Sequence, residues 1–207
     1  MQFRVSPEKL ADVSAEQWQA RVDLAAAHRL AYMHGFNEGI FNHLTYVVPG
    51  DSSRYYQIPF GTHWSEVNAS CFMEVGIDDG EVKRGEGDVE RSCYCIHAPI
   101  HKALPQAKAV FHTHMPYASA LTRLEDPRIK EIGQTEVGMS GKIAYDDEYT
   151  GPAFDPAEGA RLATEVKDCA KLSAETKAKI TREIIEHETS HGTCTQTFIK
   201  KVRKQLR

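Results

Sequence analysis

The chain has 207 residues, 41% hydrophobic and 26% charged, with a formal net charge of −4. That is the composition of an ordinary globular protein, long enough for one large domain with a substantial core or two small ones. No apolar run approaches the ~20 residues of a membrane-spanning helix. The amino-terminal stretch resembles neither a secretory signal nor a transit peptide. Five cysteines, odd in number and irregularly spaced, argue against a disulfide framework and for a reducing compartment, the cytoplasm. Charge is uneven: residues 1–160 carry 14 basic against 23 acidic side chains, and residues 161–207 carry 11 against 6. The basic stretch reads as a solvated helix, the alternative being contact with an acidic partner.

In chain order, Ser14 and Gln17 form a capping-box start, and Trp18, Val22, Ala25, Ala26, Leu30 and Met33 follow at helical spacing. Gly35 suits the position just past that helix. Strands are expected at FNHLTYVV, RYYQI and CFMEVGI, and Asp78-Asp79-Gly80 signals a hairpin into Glu81-Val82-Lys83. Helical spacing returns over about 93–103 and stops before Pro105. AKAVFHTH reads as a buried strand, and Pro116 opens the next helix. KIAYDDEYTGPAF reads as a strand and a loop. Asp155-Pro156-Ala157-Glu158 starts a helix that continues towards Ile185, with a break near Ser173. Irregular alternation of helices and strands predicts an α/β domain with a mixed central sheet.

His112 and His114 carry the chemistry. On a strand, residues two apart point the same way, so two imidazoles can converge on one cation. Ten histidines in 207 residues produce roughly half an H-x-H by chance, so context must decide. The pair ends a strand just before a proline-started helix, where an α/β sheet opens its binding crevice.

Several segments, in order, resemble the class II aldolase/adducin family: AAAHRLAYMHGFNEGIFNHLTYVVPG, IPFGTHWSEVNASCFMEVGIDDGEV, IHAPIHKALPQAKAV, AVFHTHMPYASAL and GQTEVGMSGKIAYDDEYTGPAFDPAEGARLATEV. The resemblance covers about residues 15–166. It implies a three-layer α/β/α sandwich over residues 1–166, a homo-oligomer (a tetramer in the family), and a divalent metal, commonly zinc. His112 and His114 match ligand positions. Asn42, His43, Gly61 and Thr62 match places where a substrate's phosphate or carboxylate binds, although FNHLT replaces the family's glycine-containing loop.

The sequence departs from the family in two places. Cys93 stands where the aldolase branch carries a glutamate that ligates metal and moves protons, as it would four residues before His97; Glu90 is nearby but out of register. The family's third ligand, a histidine in an apolar strand, has no clear match, because residues 167–207 form a basic, helix-like tail. His191, with His187 four residues before it, is the remaining candidate for that ligand. Cys93, Cys95 and His97 would share a face on a strand, but the helical spacing makes the cysteines buried residues near a helix start. His97 and His101 are expected to orient the site or satisfy buried contacts. Tyr117 and Tyr145 offer hydroxyls that could protonate an enediolate, Tyr117 being the catalytic candidate.

Two functions follow. One is a metal-dependent carbon–carbon lyase, aldolase or decarboxylase, using zinc or another divalent ion on a small hydroxy-keto or keto acid. The other is a non-catalytic domain like the adducin head, with actin and spectrin as partners. PFGTHWSEVNAS reads closer to the adducin branch. Neither function calls for nucleic acid or a transmembrane segment.

Overall fold

The computed structural model describes Leu10, residues 12–139 and residues 142–169. His187, His191 and most of the basic tail lie outside the described residues.

α1 (Ala15–Met33) begins as its sequence predicts. The Ser14 hydroxyl accepts from the Gln17 amide, and the Gln17 side chain accepts from the Ser14 amide, both at 3.1 Å. These bonds satisfy two amides that the first turn would otherwise leave without partners. Gly35 follows with φ +69°, a conformation that costs glycine little.

β1 (His43–Val47), β2 (Arg54–Gln57), β3 (Met73–Gly76) and β4 (Val82–Arg84) come next, then α2 (Arg91–Ala103) and β5 (Ala109–His112). The strands form one sheet in the order β4-β3-β2-β1-β5. Every described pairing is antiparallel, not mixed. Short turns join β1 to β2 and β3 to β4, and such turns can link only antiparallel neighbours. β5 returns beside β1, with His43 opposite His112.

Alternation along β1 sends its side chains to two different layers. Leu44 and Val48 join Leu24 and Ala25 of α1, Tyr56, Trp64 and Phe72 on one face. On the other face, Tyr55, Met73 and Val75 pack against Tyr94, Cys95 and Ala98 of α2. α1 and α2 thus cover opposite faces of the sheet, giving the expected three layers. On the α1 side, Arg21 is fully buried and donates to Glu74 at 3.0 Å and to the Phe72 carbonyl at 3.0 Å. Arg54 also donates to Glu74, at 2.8 Å. A buried carboxylate with two guanidinium partners avoids the cost of an isolated charge.

β5 differs from expectation: Ala109 and Phe111 are exposed. β5 has β1 on one side, and no other described strand pairs with it. Phe111 instead stacks on Trp64, with centroids 5.6 Å apart.

After α3 (Pro116–Leu121), the short helix α4 (Gln134–Met139) was not expected. The strand expected in KIAYDDEYTGPAF is not formed by the described residues 142–154. The acids of that segment bind arginines instead: Asp146 accepts from Arg161 at 2.7 and 2.6 Å, and Asp147 from Arg128. α5 (Pro156–Cys169) packs on α2. Ala163 meets Ile100 and Leu104, and a Cβ at Gly159 would lie 2.9 Å from the Ile96 Cα. Gly159 therefore sets how closely α5 approaches the helix that carries Cys93, His97 and His101. Gly159→Ala is expected to destabilise the fold by about 1–3 kcal/mol, despite alanine's better helix propensity, read as a lower urea midpoint.

Candidate metal and substrate site

The face of β1 turned towards α2 carries His43 and Thr45. Thr45 is fully buried and its hydroxyl lies 2.9 Å from both His97 Nδ1 and His101 Nε2. A hydroxyl has one proton, so it donates to one ring and accepts from the other. His101 settles the direction. Its Nδ1 lies 3.0 Å from the Ala107 carbonyl, which can only accept. Burial holds the His101 imidazole at about 4, so the ring is neutral and its Nε2 is an acceptor. Thr45 therefore donates to His101 and accepts from His97 Nδ1–H. This leaves the His97 Nε2 with a lone pair. Burial, with His43, His101 and His112 nearby, keeps His97 well below its usual range and hence neutral.

A second chain of hydrogen bonds starts at Glu90, which caps α2 by accepting from the Ser92 and Cys93 amides. His43 Nε2 lies 3.1 Å from the Glu90 carboxylate. Burial alone would raise that carboxyl, but hydrogen bonds from His43, the Cys93 amide and the Ser92 hydroxyl hold it at about 2. His43 Nε2 therefore carries a proton, and His43 Nδ1 shares a hydrogen bond of 3.1 Å with His112 Nδ1. His112 is neutral, held at about 4 by burial and by His43 and His114. His114 Nδ1 lies 2.8 Å from Glu38, to which it donates. The His112 and His114 rings sit 4.8 Å apart, with the Nδ1 of His112 held by His43 and that of His114 by Glu38. Ligating histidines show this arrangement, with the second nitrogen oriented by a carboxylate or another acceptor.

Cys93 is fully buried at the start of α2. Burial, and then Glu90, raise its thiol well above the usual range, so without a metal it is protonated and a poor nucleophile. Its sulfur and one ring nitrogen each of His43 and His97 lie within 4.8 Å of one another, a cluster able to hold a metal ion.

The three expected substrate contacts share one cleft. Asn42, Gly61 and Thr62 line it together with His43, Gln57 and Glu90. Asn42 Oδ1 accepts from the Glu38 amide at 2.6 Å and Gln57 Oε1 from the Tyr55 hydroxyl at 3.0 Å, so both amide NH2 groups turn away from these partners. Gly61 has φ +87°, a turn conformation that favours glycine. Tyr117 is 93% exposed in the first turn of α3. The Tyr145 hydroxyl instead accepts from the Ile129 amide at 2.9 Å.

Sequence reasoning missed Glu38 and Gln57 and gave Thr45 no role. Glu90 is out of register with the family's glutamate, but an acid just ahead of Ser92 is a helix-cap signal, and its free oxygen reaches β1. His43 was considered for substrate binding; the fold sets it between His97 and His112, with centroids 5.8 and 5.0 Å away.

Helices on both faces of the sheet, and a cluster of imidazoles where β1 and β5 meet α2, are the layout expected of a class II aldolase-type domain. The chain belongs to the class II aldolase and adducin N-terminal domain family, whose profile matches residues 22–182. An adducin-related protein of Schizosaccharomyces pombe is 35% identical over 164 residues, which is 76% of this chain and 49% of that protein. A solved aldolase II superfamily protein from Pseudomonas syringae superposes with a TM-score of 0.70 at 26% identity, covering 93% of this chain and 87% of that one. L-fuculose 1-phosphate aldolase from Glaciozyma antarctica gives 0.65 at 25% identity, covering 79% and 63%. The chain spans about half to three-fifths of the length of the curated relatives it matches most strongly. No described helix is long and apolar enough to cross a membrane.

Thr45→Val removes the hydroxyl between two buried rings and leaves the His97 donor and the His101 acceptor without partners. The expected loss is roughly 2–4 kcal/mol by chemical denaturation, whereas Thr45→Ser, which keeps the hydroxyl, stays within about 1.5 kcal/mol of the parent. The lowered imidazoles also set the acid limit of the fold. His28 and His101 each sit at about 4 in the native state, against the ordinary 6.5. Unfolded chains take up protons that these rings refuse, so their contribution is complete above pH ~6.5 and is lost as pH falls towards 4. For fully buried His28 this amounts to on the order of 3 kcal/mol. Urea midpoints should therefore fall over that window, and His28→Gln should flatten the slope.

Proposed function

We propose that this chain is a metal-binding class II aldolase-type domain of the cytoplasm, formed by residues 1–166, with His112 and His114 as ligands of a divalent ion, zinc by the donor set. The observation that carries this reading is the placement of the two rings: 4.8 Å apart, with their Nδ1 atoms held by His43 and Glu38. Both are half-buried at the end of β5, and His43, which bonds His112, lines the cleft together with Asn42 and Thr62. When bound, the ion supplies Lewis-acid stabilisation of an oxyanion, as carbon–carbon cleavage of a small hydroxy-keto or keto acid requires. Glu38 and His43 orient the ligating rings, Asn42 and Thr62 hold the substrate's acidic end, and Tyr117 offers a phenolic proton at the solvent side. A homo-oligomer, as in the family, would bring a neighbouring subunit to the exposed β5 edge.

One feature favours a second reading, a non-catalytic domain like the adducin head with actin or spectrin as partner. The family's catalytic glutamate is replaced by Cys93, whose thiol is held protonated by burial. A protonated thiol gives no carboxylate-type proton transfer. The S. pombe relative is adducin-related by name.

Metal analysis separates the two. The enzyme reading expects bound divalent metal, with one ion per chain lost in His112→Ala and in His114→Ala. Metal content unchanged by both substitutions removes it. Co-pelleting of the chain with filamentous actin supports the second reading, and its absence removes actin as the partner.

A further inference from the structure

We infer that this chain has an inner thiolate–imidazole metal site, built by His43, Cys93 and His97, that takes a divalent ion of the zinc class and is distinct from the His112–His114 pair. The three donors come from two elements, β1 and α2, and their ligand atoms lie within 4.8 Å of one another in the core. Cysteine and histidine together favour zinc over magnesium or calcium, which prefer oxygen.

The surroundings are already arranged for such a site. The Thr45 hydroxyl, its own proton directed to His101 by the Ala107 carbonyl beyond, accepts the Nδ1 proton of His97 and leaves Nε2 as a lone pair. Glu90 engages the Nε2 proton of His43, which leaves Nδ1, now bonded to His112, as the nitrogen a metal would take. Each imidazole thus has an oriented proton on one nitrogen and an unprotonated nitrogen on the other, as ligating histidines require. The Glu90 carboxylate also accepts from the Cys93 amide, which ties the backbone of the third donor to the same cap.

Binding is balanced by one proton. Cys93 Sγ–H loses its proton to solvent, the S–H bond is replaced by an S–metal bond, and both imidazoles remain neutral. The His43 Nδ1 lone pair passes from His112 to the ion, so His112 must turn its N–H to water. Occupation of the inner site and the His112–His43 hydrogen bond exclude each other. A carboxylate at position 93 would favour a harder ion, and a buried thiol selects a softer one.

Cobalt(II) reports thiolate ligation directly, through a sulfur-to-metal charge-transfer band. The full chain, stripped with chelator, is titrated with cobalt and separately with zinc. The parent is expected to show the band, and zinc is expected to displace it. His114→Ala should retain the band undiminished. Cys93→Ser should lose it, together with one zinc per chain. His97→Asn, made alongside in case Cys93→Ser does not fold, should lose it as well. Zinc loading in weakly buffered solution should release one proton per inner site.

Cobalt bound by the parent without the band overturns the inner site. If that cobalt is then lost in His114→Ala, the outer pair stands without it. A band that survives in folded Cys93→Ser or His97→Asn places the thiolate at another cysteine and also overturns the proposal. A parent that binds neither ion overturns the inner and outer sites together.

Discussion

The inner face of β1 must find partners for polar side chains placed in the core, and the rest of the site follows from how it does so. Thr45 supplies one hydroxyl to two buried imidazoles, and the direction of its single proton is imposed by the Ala107 carbonyl beyond His101. A backbone carbonyl just before β5 thereby determines which nitrogen of His97 is protonated. The same contacts clamp α2 to the sheet, and α5 is held on α2 through the glycine contact at residue 159. Fold and protonation state are therefore one constraint, because an unpaired polar atom in this layer costs as much as a lost packing contact.

Electrostatics follow from burial. Four imidazoles stand in a row from His97 through His43 and His112 to His114, with adjacent centroids 5.8, 5.0 and 4.8 Å apart. Several positive rings at that spacing would repel one another, and burial disfavours each charge further. Glu90 fixes the centre of the row and Glu38 its outer end. The result is a row of imidazoles graded from the core to the solvent, with His112 and His114 at the accessible end and His97, beside the buried Cys93, at the enclosed end.

Much of this was legible in the residues. The capping box at Ser14, the Asp78-Asp79-Gly80 turn and the proline at the start of α3 are local signals, and the elements they bound appear where the sequence places them. The His112–His114 pair was visible as spacing, since neighbours two apart on an extended chain share a side. The acidic segment around Asp146 misled because its alternation imitates a strand, while its carboxylates are drawn to Arg161 on a helix. The buried strand read in AKAVFHTH became an outer strand because burial depends on neighbours that local sequence does not name.

The sequence by itself determined the family, the layering and the presence of metal-binding residue types, because each rests on local pattern or on several motifs in order. Only the tertiary structure decided which donors meet. Cys93 and His97 lie on α2, and His43 lies roughly fifty residues earlier on β1. No periodicity links them, and only the closing of α2 over the sheet brings a thiol and two imidazoles to one place. The tautomers were likewise beyond the sequence, since a proton's position on an imidazole is set by the acceptor that faces it across space.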